Sequence, residues 1–201
     1  MEHPACKPAN QLGGSKMSKQ AAVTDRDHGK DNAAAWASNL AQMVAALECD
    51  YEQLGRLQRQ DAGELTEDET QELRELTAAA TIDGDTMADA EEARERIQES
   101  PLSVQVRSGW ASVGEALNAE EFEILLTAGG PALRIRGELD ENREPSRAWL
   151  EYQDWGTGWT QYFDVEKSTL LTFCGVFYFG EKSPPLTGGS NVRPAHTAAS
   201  R

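Results

Sequence analysis

At Pro101 the hydrophobic rhythm of this chain changes, and that change constrains the fold more than any other feature. Upstream, apolar residues recur at steps of three and four, as on one face of a helix; downstream they alternate with polar residues, as on a strand with one buried face. The upstream series Trp36, Leu40, Met43, Val44, Leu47, Tyr51, Leu54 and Leu57 reads as one long helix capped by Asp31 or Asn32. So continuous a stripe must lie on something apolar. Its heptad register slips at Tyr51, which favours packing within the chain, with a homodimer seam through the Trp36 to Leu57 helix as the alternative. DAG breaks the pattern, and Thr66 with Glu69 forms a capping box for a second helix to about Ala80, with Leu65, Leu73 and Leu76 on its stripe. IDGD reads as a linker to a third helix with Met87, Ala90, Ala93 and Ile97 on one side, stopped by Pro101.

After Pro101, Leu102, Val104 and Val106 predict a half-buried strand, and so do Phe122, Ile124 and Leu126. The turn TAGGPA returns the chain into a strand with Leu133 and Ile135, and DENREPS turns it again into one with Ala148, Leu150 and Tyr152. Asp164 can cap a C-terminal helix with Leu170, Leu171, Cys174, Phe177 and Tyr178 on one face. The fold class is α+β: a small antiparallel sheet of three to four strands with a C-terminal helix, preceded by two to three acidic helices. Residues 1–30 and 182–201 lack an apolar period and are expected to be disordered, leaving a helical acidic region over 31–100 and an antiparallel domain over 101–181. Met17, followed by SKQ, is an alternative start.

Composition narrows the class of function. With 39% hydrophobic residues in 201, the chain can bury one good core. No apolar run reaches the ~20 residues that span a bilayer, and the first residues lack the plan of a signal peptide. Three cysteines without metal spacing, Cys6, Cys49 and Cys174, fit a reducing compartment, so a cytoplasmic location is expected. A net charge of −15 repels nucleic acid and anionic membranes, and charged partners should be basic. The charge is concentrated: 14 Asp or Glu lie between Asp61 and Ser100, against Arg74, Arg94 and Arg96.

Catalytic signatures fail one by one. His3, His28 and His196 lie in the segments expected to be disordered, which weakens a triad or a zinc site. Cys49 and Cys174 fall on helices without a His nearby in sequence. DGDTMADAEEAR has Ala88 where a calcium loop needs glycine and Arg94 where it needs glutamate. Gly129 and Gly130 precede Pro131 and lack phosphate-loop spacing. Metal, cofactor and catalytic residues are therefore assigned to none.

Two candidate surfaces are left. Glu64, Glu67, Asp68, Glu72 and Glu75, with Asp89, Glu92, Glu95 and Glu99, could form a ladder of carboxylates at helical spacing that mimics nucleic acid before a basic groove; a solvated helical face is the simpler account. Trp149, Glu151, Gln153, Asp154, Trp155 and Trp159 could line a ligand pocket, with Arg107, Arg134, Arg136 and Arg147 as cation–π or ion-pair partners. Ordinary packing of strand aromatics competes with that reading. The Gly-Thr-Gly between them reads as a loop from the last strand to the C-terminal helix.

The strings IQESPLSVQVRSGW, ILLTAGGPALRIRGELD and RAWLEYQDWGTGWTQYF, ending in FYFGE, resemble a family of accessory proteins carried by bacterial prophages and integrative or conjugative elements. The resemblance covers roughly residues 95–181 and implies a genomic setting rather than a mechanism. Small acidic accessory proteins of such elements, antirestriction and anti-CRISPR inhibitors among them, often bind other proteins. The leading expectation is a non-enzymatic module that engages a basic surface of a host or element protein. The alternative is a small-molecule or nucleotide-binding module, conceivably an enzyme, using the aromatic segment.

Overall fold

The computed structural model describes residues 27–61 and 63–180. Helix α1 (His28–Leu47) starts earlier than its apolar stripe implied, because Asp27 rather than Asp31 or Asn32 is the cap. The Asp27 carboxylate accepts the Lys30 N–H at 2.9 Å, and Asp31 falls in the first turn, where the helix dipole favours its charge. His28 thus belongs to the folded unit, contrary to the expectation of disorder through residue 30.

The long stripe is two helices rather than one. α1 ends at Leu47, and Asp50 caps α2 (Tyr51–Gln58) by accepting the Gln53 N–H. A carboxylate that offers an amide partner outside the helical ladder breaks a helix even where the apolar spacing continues. Leu40, Met43 and Val44 of α1 enter the core and Leu54 and Leu57 of α2 are buried, so the stripe is occupied within the chain.

Helix α3 (Glu67–Ala79) opens with the expected capping box: Thr66 Oγ1 accepts the Glu69 N–H, and the Glu69 carboxylate accepts the Thr66 N–H. IDGD is a hairpin instead of a linker. Strands β1 (Thr81–Ile82) and β2 (Asp85–Thr86) pair through Asp83 and Gly84, whose φ of 52° and 92° are those of a two-residue turn that follows strand twist. Its strand end carries Ile82 into the core. Asp89 then caps α4 (Ala90–Glu99), which buries Ala93 and Ile97.

Among the described residues the sheet has five strands, where three to four were expected. β3 (Ser103–Ser108), β4 (Ala119–Thr127), β5 (Ala132–Leu139), β6 (Pro145–Gln153) and β7 (Thr160–Tyr162) form an antiparallel meander in chain order. The fifth escapes the pattern because it has three residues, too few to show an alternation. The Gly-Thr-Gly loop therefore joins β6 to β7, and the chain enters α5 (Lys167–Cys174) only afterwards. Glu166, not Asp164, occupies the cap position of α5 and makes no side-chain cap bond. The helix is short, so Phe177 only half-enters the core and Tyr178 projects into solvent.

Phe122, Ile124, Leu133, Ile135 and Leu150 form the inner face of the sheet, in one core with α1, α4 and α5. The covering is uneven. Val104 and Val106 stand opposite Ile124 and Phe122 and so share their face, yet both are exposed, as is Leu102. The half-buried strand expected there is an uncovered edge. Among the described residues no helix is long and apolar enough to cross a membrane.

Candidate functional site

The outer face of the sheet is built from alternate residues of β4, β5 and β6, which point away from the helices. Cross-strand register brings opposite charges together there. Arg134 lies opposite Glu151 and Arg136 opposite Glu123. The Arg134 guanidinium donates to Glu151 at 2.7 Å and to Glu123 at 2.8 Å, and sits 3.9 Å from the centre of the Trp159 ring. Trp149 Nε1–H donates to the other oxygen of Glu151 at 3.1 Å. A second group runs along the strands beside it. Glu121 takes both Arg107 and Arg136, and Arg107 holds the Glu121 carboxyl below its ordinary range more strongly than partial burial raises it. Arg147 pairs with Glu138 at 2.9 Å at the exposed margin.

The six aromatic-segment residues therefore separate into two places. Trp149, Glu151 and Trp159 belong to the ion-paired face around Arg134. Gln153 ends β6, and Asp154 and Trp155 begin the β6–β7 connection: Gln153 donates to the Thr157 carbonyl, and Asp154 accepts the N–H groups of Trp155 and Gly29. Trp155 lies so close over Gly130 that a Cβ there would meet its indole at 2.2 Å. Only Asp154 and Trp155 of the six border the open depression of about 480 Å³ beside the start of α1, with His28 and Tyr152. Sequence reading missed His28 here because it placed the helix start too late. The Tyr152 hydroxyl donates to Asp27 at 3.3 Å, and burial followed by the Asp27 charge raises its pKa.

The nine acids of the proposed ladder are on the surface, Glu72 being half-buried. They do not form one ladder. Asp68, Glu72 and Glu75 follow each other at helical spacing on α3, and Glu92, Glu95 and Glu99 do so on α4. Glu64 precedes α3 in a turn, and Asp89 precedes α4 as its cap. α3 rests chiefly on α2, whereas α4 rests on α1, with the β1–β2 hairpin between them in sequence.

Several of these carboxylates have local tasks. Asp89 accepts the N–H groups of Glu91 and Glu92, Glu92 accepts the Ala88 N–H, Glu72 accepts from Gln53, and Glu75 from Gln71. The side-chain carboxylates of Glu64, Glu67, Asp68, Glu95 and Glu99 have no hydrogen bond or ion pair with another described residue. Two of the three arginines in this region are otherwise engaged, Arg94 with Glu91 and Arg96 with Asp85; Arg74 stands exposed on α3 itself.

Thiol chemistry finds no support in the core. Burial pushes the Cys174 thiol far up, and Cys49 is raised by burial and then by Asp50. Among the described residues no three His, Cys, Asp or Glu side chains converge as a metal site would require.

Fold and surface define a small α+β protein with an ion-paired outer sheet face and two helices that carry free carboxylates. Compared with known protein families, curated proteins and solved structures, the chain matches none.

Proposed function

We propose that this protein is a non-enzymatic cytoplasmic binding module that engages a basic surface of another protein through the acidic rows of α3 and α4. The observation that carries the reading is the set Glu67, Asp68, Glu95 and Glu99: exposed, on regular helices, and without partners among the described residues. Glu67 and Asp68 gain from the helix dipole in the first turn of α3, but Glu95 and Glu99 neither cap a helix nor pair with an arginine among the described residues and add repulsion to the folded chain. Two short rows at helical spacing offer a basic groove a pattern of negative charge in place of phosphates, as an inhibitor of a nucleic-acid-binding protein would. The setting of that role is a mobile genetic element, in line with the family resemblance of residues 95–181.

The test uses a variant that leaves every cap intact: Glu67→Gln, Asp68→Asn, Glu75→Gln, Glu95→Gln and Glu99→Gln. The wild-type chain, immobilised and exposed to a host lysate, should retain a basic protein that duplex DNA displaces and that the variant fails to retain. Equal retention by the variant would remove the acidic rows from the function.

A further inference from the structure

We propose that the open edge of the sheet at β3 is the seat of a second copy of this chain, pairing β3 with β3 antiparallel about a twofold axis at Gln105. β3 is the first strand in the sheet order and has a neighbour only on the β4 side among the described residues. An edge strand presents a row of unpaired N–H and C=O groups, and chains that must stay apart blunt such an edge with lysine, proline or an inward charge. Ser103–Ser108 contains no lysine and no proline, and its bulge comes only at the Arg107/Ser108 end. The apolar side chains at this edge are also uncovered: Leu102 is 62% exposed, Val106 50% and Val104 39%.

The strand is self-complementary. With Gln105 opposite its own copy, Val104 meets Val106 of the second copy and Val106 meets its Val104, on the face that already carries Ile124 and Phe122. Such β-branched pairs are the unit of sheet stabilisation. Arg107, the one charge on the strand, then lies opposite Ser103 and keeps its partner Glu121, so no like charges face each other. The loop after β3 also carries exposed apolar side chains, Trp110, Val113 and Leu117, and Trp110 lies beside Arg107 and Glu121 at the end of the strand. A single tryptophan can bury on the order of 200 Å². Buried in full, these six apolar side chains and the strand backbone amount to at most roughly 600–800 Å² per copy, the size of the ~800 Å² per partner in a stable interface.

The dimer and the acidic rows respond oppositely to salt. Two copies with a net charge of −15 repel at long range, so salt should strengthen their association, whereas it weakens capture of a basic partner. Sedimentation equilibrium on the full chain should show the 22.0 kDa species doubling its mass as concentration rises, more readily at high salt. Val104→Lys combined with Val106→Lys should abolish the doubling while the far-ultraviolet circular dichroism stays unchanged. Should that variant fail to fold, hydrogen exchange of the wild-type Val104–Arg107 amides decides: slowing with protein concentration supports the pairing. A monomer at every concentration overturns the proposal, whether a foreign strand or the chain's own residues hold the edge. So do a doubled mass that survives in the folded variant and β3 amides indifferent to concentration.

Discussion

The guanidinium of Arg134 is held between two carboxylates and an indole, 3.9 Å from the Trp159 ring centre, and its side chain is only 16% exposed. A planar cation so held joins β4, β5, β6 and the loop before β7. Arg134→Ala would leave Glu151, equally shielded, without its cation, at a cost of about 2–3 kcal/mol. Arg134→Lys should recover less than half of that, because an ammonium cannot donate in a plane to both carboxylates while lying on the ring. Urea denaturation of the two variants checks both values.

Gly137 is the tightest point of the core face. A Cβ there would lie 2.2 Å from the Arg147 carbonyl oxygen and 2.3 Å from the Phe122 ring, which is fully enclosed and also packs on Phe179. Gly137→Ala should therefore cost about 2–3 kcal/mol by overpacking. That corresponds to a fall in Tm of roughly 5–10 °C for a domain of this size, measured by calorimetry. Gly130→Ala meets only the exposed Trp155, which can swing away, and should lower Tm far less while shifting indole fluorescence to the red.

Glu121 links stability to pH. Its folded pKa is depressed, Arg107 being the largest cause, so its contribution is present above the ordinary glutamate range and lost as pH falls through the lower folded value. The difference in denaturation midpoint between wild type and Glu121→Gln should accordingly be full at neutral pH and vanish in strong acid. A constant difference across that range would contradict the ion-pair account.

Asp89 and Glu95 separate structure from binding within the acidic region. Asp89 caps α4 with two backbone bonds, and Asp89→Ala should cost about 1 kcal/mol. Glu95→Gln touches no described partner and should leave stability within about 0.5 kcal/mol of wild type. Thermal melts of the two variants distinguish these outcomes.

The sequence carried the fold class in its change of rhythm at Pro101, and the capping box at Thr66 and Glu69 was legible because both halves of its bonding pattern lie three residues apart. The break at Asp50 was equally written, as an aspartate three residues before Gln53, but a continuous apolar spacing outweighed it. Alternation in Leu102, Val104 and Val106 announced which face they share, not whether any helix reaches it; covering is a property of the assembled layers. The aromatic segment was legible to the same extent. Tryptophans close in sequence lie on either side of a strand end, and Arg134, the residue that organises three of the six, comes from the neighbouring strand.

Capture of a basic partner by the free carboxylates of α3 and α4, as proposed, is an electrostatic interaction that salt must weaken. Its most direct measurement is the affinity of the retained partner across a salt series, for wild type and for the five-residue charge-neutralised variant. The wild-type affinity should fall steeply with salt, and the variant should bind weakly with a much flatter dependence. An affinity indifferent to salt, or equal slopes for the two chains, would contradict the proposed capture.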